Sequence, residues 1–178
     1  MKFLDRFRRK PQPEFGVLMV CMGNLCRSPL AEVVLRRKLA VAGLADRVRV
    51  DSAGTHADRG SPADLRALAV AAKRGYSMDK LRSRRLVDTD FTQFEWVVAM
   101  DDDNLTNLRD LCPPESHDRL HLLLELAPRA DGVREVPDPY YGAENSFEHV
   151  IDLLETACDA LVAQVMRSLP AEPSNAPG

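Results

Sequence analysis

One short run near the start of the chain could do chemistry: Cys21-Met22-Gly23-Asn24-Leu25-Cys26-Arg27-Ser28-Pro29. A thiol, five intervening residues, a guanidinium and a hydroxyl follow one another. An ionised thiol is a strong nucleophile, and a guanidinium is a planar fork matched to two oxygens of a phosphate. Converging backbone N–H groups, a helix N-terminus and Arg27 would all favour the thiolate form of Cys21. Ser28 can hydrogen-bond the Cys21 sulfur and stabilise it as a leaving group. Gly23 and Asn24 tolerate the left-handed backbone that a tight nest requires. Cys21 and Arg27 are therefore the candidate reactive pair, with Met22, Gly23, Asn24, Leu25, Cys26 and Ser28 as the candidate anion cradle. A buried structural Cys before an ordinary helix start is the plainer alternative, and the whole constellation argues against it.

The elements around the run must hold it in place. Val17–Cys21 reads as a buried strand, and Pro29 opens a helix through Ala42 closed by Gly43. Val48–Asp51 reads as a second strand, Ala63–Arg74 as a helix closed by Gly75, and Asp88–Phe91 as a helical turn. Trp96–Met100 is a third strand, and Asp103–Leu111 is a helix ending before Pro113-Pro114. Leu120–Leu126 fits either strand or helix and is assigned as strand. Ser146–Leu169 is a long amphipathic helix. Such alternation predicts an α/β domain: one parallel sheet with helices on both faces, and ligands at the carboxyl ends of its strands. Cys21, Ser52 and Asp101 each fall just past an expected strand.

Composition narrows the classes. The chain has 178 residues, 45% hydrophobic and 29% charged, which suits one soluble globular domain. A net charge of −3 argues against a nucleic-acid binder. No apolar run is long enough to cross a membrane, and charges interrupt the first ten residues where a signal peptide would be apolar. A cytoplasmic location is expected. The four Cys residues are expected as thiols, with Cys112 and Cys158 inert in the core. The four His residues are scattered and no Cys-x2-Cys spacing occurs, so neither metal nor cofactor is expected. Residues 1–14 read as a basic tail, residues 15–169 as the domain, and residues 170–178 as a disordered tail. Phe3, Leu4 and Phe7 share one face of the first tail, which leaves open a weak surface contact.

Four segments in order resemble the low-molecular-weight protein tyrosine phosphatases: Val20-Cys21-Met22-Gly23-Asn24-Leu25-Cys26-Arg27-Ser28-Pro29-Leu30-Ala31-Glu32, Asp51-Ser52-Ala53-Gly54-Thr55, Ala99-Met100-Asp101 and Asp138-Pro139-Tyr140-Tyr141-Gly142. The resemblance runs from about Val17 to Val165. It implies a single domain built on a four-stranded parallel sheet flanked by helices. It also implies metal-free hydrolysis of protein phosphotyrosine and small aryl phosphates through a cysteinyl-phosphate. Asp138, between Pro137 and Pro139, would protonate the leaving oxygen, which the thiolate cannot do. Tyr140 and Tyr141 would flank an aromatic ring, Tyr140 the more directly. Asn24, Ser28 and Ser52 resemble the family's loop-fixing network. Asp101 matches an acidic position, although a helix N-cap explains it equally well. The implied partner is a phosphotyrosine protein, a bacterial tyrosine kinase among the possibilities, met by a monomer.

Two departures stand out. Leu81 occupies a position where members often carry a His, and the loop His56-Ala57-Asp58-Arg59-Gly60 lacks a Trp found in some. Arsenate reductase and protein arginine phosphatase share the scaffold and remain alternatives. The first needs extra thiols, and residues 75–95 contain none. The second is disfavoured by Leu25, which offers a guanidinium no hydrogen bond. A phosphate-binding or redox module without catalysis is the non-enzyme alternative, and Asp138 argues against it.

Overall fold

The structure, a computed structural model, describes residues 12–127 and 132–170. The tails expected at 1–14 and 170–178 fall almost wholly outside the described residues.

Four strands form one parallel sheet in the order β2-β1-β3-β4. They are β1 (Phe15–Cys21), β2 (Val48–Gly54), β3 (Trp96–Ala99) and β4 (Leu120–Leu122). The helices are α1 (Arg27–Val41), α2 (Leu65–Lys73), α3 (Asp90–Gln93), α4 (Asp102–Leu111), α5 (Leu123–Leu126) and α6 (Glu144–Ser168). A 3-10 segment at Pro114–Arg119 leads into β4.

Every residue of β1 is buried, because both faces of the sheet are covered. Val17, Met19 and Cys21 point into a layer with residues of α1, α2 and α6. Leu18 and Val20 point into the opposite layer, with Phe91, Phe94, Leu105 and Leu108 from α3, α4 and their flanks. That two-sided burial is why β1 reads as a continuous apolar run rather than an alternating one. β1 pairs with β2 from Phe15↔Val48 to Cys21↔Gly54, and with β3 from Val17↔Trp96 to Val20↔Ala99. Sequence neighbours therefore leave β1 in opposite directions across the sheet. The crevice at the carboxyl end of β1 is the kind of switch point where ligands bind in open α/β sheets.

Several boundaries differ from the sequence reading. α1 begins at Arg27, so Pro29 sits within the first turn, where its missing N–H costs nothing. β2 runs on to Gly54, which places Ser52 inside the strand rather than past it. α2 begins at Leu65 because the Asp64 side chain caps it, accepting from the Arg66 N–H at 2.8 Å. The run Leu120–Leu126, assigned as strand, is strand only through Leu122. Leu123–Leu126 form one turn of helix, with Leu123 and Leu124 buried.

Candidate active site

The cradle follows from β1 ending where α1 starts. Residues 22–26 bend between them, and Asn24 turns left-handed at φ 53°. Gly23 does not: its φ is not positive, and a Cβ there would meet only the Leu25 side chain. The close approach is at Gly54. A Cβ on Gly54 would lie 2.6 Å from the Met22 carbonyl and 2.9 Å from the Asn24 backbone N, so only glycine lets β2 lie this near the loop. Backbone bonds complete the seam: the Thr55 N–H donates to the Cys21 carbonyl at 3.0 Å and the His56 N–H to the Met22 carbonyl at 2.9 Å.

A chain of buried polar side chains runs to the sulfur. Ser28 Oγ lies 3.0 Å from Cys21 Sγ and 3.2 Å from the Ala53 carbonyl. Its single proton has two acceptors, and a thiolate would claim it as the stronger one. Asn24 Nδ2 donates at 2.9 Å to Ser28 Oγ and at 2.9 Å to Ser52 Oγ. The Arg84 N–H donates to Asn24 Oδ1 at 2.9 Å, so this amide is held at both ends. Ser52 Oγ donates in turn to Glu32 Oε2 at 2.5 Å. Glu32 is buried, and its Oε1 faces Arg36 Nη1 at 2.8 Å as an ion pair. Burial pushes the Glu32 carboxyl above its ordinary range, and the Ser52 hydrogen bond and Arg36 offset only part of that. Leu81, where the resemblance led to a His, packs against the apolar layer instead. Glu32 and Arg84 had no assigned role in the sequence reading. Both act across long sequence separations, and only the run containing Glu32 hinted at it.

Arg27 closes the far side and is itself buried. Nη1 donates to Asp101 Oδ2 and, at 3.1 Å, to the Val136 carbonyl; Nη2 donates to Asp138 Oδ2 at 3.1 Å. Burial works against its charge, but the Asp101 hydrogen bond and nearby anions outweigh it and raise its pKa. Asp101 has two partners, the cap its sequence suggested and one it did not. It pairs with Arg27, and its Oδ1 caps α4 by accepting from the Asn104 N–H at 2.6 Å. Val136 ties the Asp138 loop to the end of β3, its N–H donating to the Met100 carbonyl at 2.8 Å.

Cys21, Met22, Gly23, Leu25, Cys26, Arg27, Asp138, Tyr140 and Tyr141 thus line one cleft of about 280 Å³. Tyr140 stacks edge-on against Tyr141, with ring centroids 5.1 Å apart. Tyr141 is 93% exposed against 45% for Tyr140, so Tyr140 is the firmer wall. Cys26 is buried, and burial with the nearby Asp64, Cys21 and Asp138 pushes its thiol up to about 12. Ser52 and Asp101 lie behind the cleft rather than in it. All four cysteines are free thiols; burial pushes Cys158 up to about 12 and raises Cys112. Among the described residues no cluster of His, Cys, Asp or Glu could hold a metal ion, and no helix is long and apolar enough to cross a membrane.

A thiol, a guanidinium and a carboxylate thus converge at the carboxyl edge of a parallel four-stranded sheet. The model of the low molecular weight phosphotyrosine protein phosphatase family matches residues 16–171, and the chain belongs to that family. It is 41% identical over 154 residues to the low molecular weight protein-tyrosine-phosphatase of Streptomyces coelicolor, covering 85% of this chain and 93% of that one. The crystal structure of a protein tyrosine phosphatase from Entamoeba histolytica, with Hepes in its active site, superposes with a TM-score of 0.81 at 38% identity. That match covers 86% of this chain and 98% of the other. The YwlE arginine phosphatase shares the fold, with a TM-score of 0.78 at 23% identity over 86% of this chain and 97% of its own.

Proposed function

We propose that this phosphatase hydrolyses protein phosphotyrosine through a covalent phosphoenzyme on Cys21. The reading rests on one observation above others: Cys21 and Arg27, from the run between β1 and α1, line a single cleft with Asp138, more than a hundred residues further on. Cys21 Sγ attacks phosphorus as a thiolate, forming the S–P bond as the P–O bond to the phenol breaks. Arg27 and the loop amides hold the equatorial oxygens, and Asp138 gives its proton to the leaving phenolate. Asp138, now ionised, takes a proton from water as that water displaces Cys21 from phosphorus. Ser28 hydrogen-bonds the departing thiolate. The cradle itself supplies the positive potential, so no metal or cofactor is needed.

Leu25 and the Tyr140 ring present apolar surface to a phenyl ring, and Leu25 offers no hydrogen bond to a guanidinium. Phosphoserine is too short to bring its phosphorus to the cradle floor. Substrates in this reading are proteins bearing phosphotyrosine, with a bacterial tyrosine kinase as one candidate, met by a monomer in the cytoplasm.

The test is kcat/KM on matched phosphotyrosine, phosphoarginine and phosphoserine peptides for wild type, Cys21→Ser and Leu25→Thr. Cys21→Ser should lose turnover while still binding a phosphonate analogue. Retention of more than about a hundredth of the wild-type rate would sink the thiolate mechanism. Equal hydrolysis of phosphoarginine and phosphotyrosine by wild type would sink the substrate assignment alone.

A further inference from the structure

The mechanism leaves one conspicuous side chain without a role. Arg66 lies in the first turn of α2, outside the lining of the cleft. Its guanidinium meets groups from both sides of the site. Nε donates to Asp64 Oδ1 at 3.1 Å, and Nη2 to Asp64 Oδ2 at 2.9 Å. Nη2 also donates to the Tyr140 carbonyl at 2.9 Å, and Nη1 to the Gly142 carbonyl at 3.2 Å. The same group lies 4.7 Å from the Phe147 ring centroid and 5.8 Å from that of Tyr140.

The partner that orients Arg66 is itself tied to the cradle. The Asp64 N–H donates to the Leu25 carbonyl at 3.0 Å, in the middle of the phosphate loop. The Asp64 carboxylate also caps α2. An unbroken path therefore runs from Leu25 through Asp64 and Arg66 to Tyr140 and Gly142. At its end stands Asp138, whose Oδ1 accepts the Tyr140 N–H at 3.1 Å. Upstream, the same loop is held by Val136; downstream, Tyr140 and Gly142 give their carbonyls to Arg66.

We propose that Arg66 is a positioning residue for the acid step: its fork sets the distance between the loop carrying Asp138 and the loop carrying Cys21. The inference rests on the reading of Asp138 as the general acid. Geometry explains the residue type. The bidentate pair with Asp64 fixes the plane of the guanidinium, and the remaining N–H bonds point along that plane at two carbonyls. A lysine ammonium has no such plane and cannot span all of these acceptors. Because Arg66 touches neither the phosphate nor the leaving group, its loss should leave anion binding alone and misplace the proton donor. A displacement of about 1 Å suffices to cost on the order of a hundredfold in rate.

The experiment measures kcat across a series of aryl phosphates whose leaving phenols range from acidic to weakly acidic. Wild type, Arg66→Met, Arg66→Lys, Asp138→Ala and the Arg66→Met/Asp138→Ala pair are compared. Wild type should depend little on the leaving group, and Asp138→Ala steeply. Both Arg66 variants should be steep as well, losing about tenfold or more on the weakly acidic phenols and little on the most acidic. Inhibition by inorganic phosphate should stay within about twofold of wild type, showing an intact cradle. The double variant should be no slower than Asp138→Ala, because Arg66 acts through Asp138.

If Asp138→Ala is no steeper than wild type, the acid reading itself falls. If Asp138→Ala is steep while Arg66→Met is as shallow as wild type, the positioning role falls alone. It falls equally if Arg66→Lys behaves as wild type, if phosphate inhibition collapses with the Arg66 variants, or if the double variant loses a further tenfold or so.

Discussion

Arg27 and Asp138 are bonded to each other across the cleft, Nη2 to Oδ2 at 3.1 Å. The group proposed to grip the phosphate thus shares a donor with the group proposed to protonate the product. An entering dianion must take that donor over, and Asp138 must yield it.

Removing Asp138 should therefore separate binding from turnover. Asp138→Ala is expected to lower kcat by roughly 10²–10⁴. The freed Nη2 should let inorganic phosphate bind as tightly as in wild type or more tightly. Inhibition constants on the two proteins measure this. Weaker phosphate binding in the variant would mean that Asp138 shapes the cradle rather than competing with it.

The double duty of Asp101 can be divided by two substitutions. Asp101→Asn keeps an oxygen for the Asn104 N–H and loses the anion facing Arg27. It should raise KM and lower kcat/KM by about tenfold or more, with little change in unfolding midpoint. Asp101→Ala also loses the cap and should destabilise the fold by about 1 kcal/mol further. Equal stability of the two variants would show that the cap contributes nothing.

Glu32 should leave a mark on the pH dependence of stability. Its folded-state pKa is raised, chiefly by burial, so the folded protein holds this proton more tightly than the unfolded chain does. The stability it contributes is complete below the unfolded value of about 4.3 and is lost as pH rises through the higher folded value. Glu32→Gln cannot ionise. Its urea midpoint relative to wild type should therefore climb across that window and level off above it. A difference that does not vary with pH would show that Glu32 does not titrate there.

Cys26 should be chemically quiet towards electrophiles near neutral pH, because its thiol is pushed up to about 12. Iodoacetate is expected to carboxymethylate Cys21 and to spare Cys26, as read by peptide mass mapping. Peroxide is a different case: a sulfenic acid formed on Cys21 can condense with the Cys26 thiol, releasing water and forming a disulfide. After peroxide and then a reducing thiol, wild type should recover more activity than Cys26→Ser. Equal recovery would remove that role.

The parts of this site written in contiguous residues were legible in the sequence. Cys21 through Pro29 announced a strand, a turn and a helix, whereas the Asp138 loop was reached only through the family resemblance, since an Asp between two prolines reads by itself as a plain turn. What the sequence hid are pairs that meet only after folding. Glu32 and Ser52 are 20 positions apart, and Arg66 and Tyr140 are 74 apart. No local propensity records either meeting. Leu120–Leu126 failed for another reason. Five of its seven residues are apolar, all of them leucines, so its burial followed from composition while its period did not. Asp101 caps α4 as one of its readings had it, while its contact with Arg27, 74 positions away, is another meeting that only the fold makes.

The burial of β1 on both faces has a consequence for how this protein ages in the warm. Cys21 is the last residue of the strand most deeply enclosed in the sheet, so the proposed nucleophile is anchored to the part of the chain with the least freedom to open by itself. A catalytic group on a peripheral loop fails early, while the body of the enzyme is still folded. For Cys21 the two failures are joined, and a molecule that has kept its core has kept this thiol beside its cradle, whereas Asp138 rides on a loop outside the sheet.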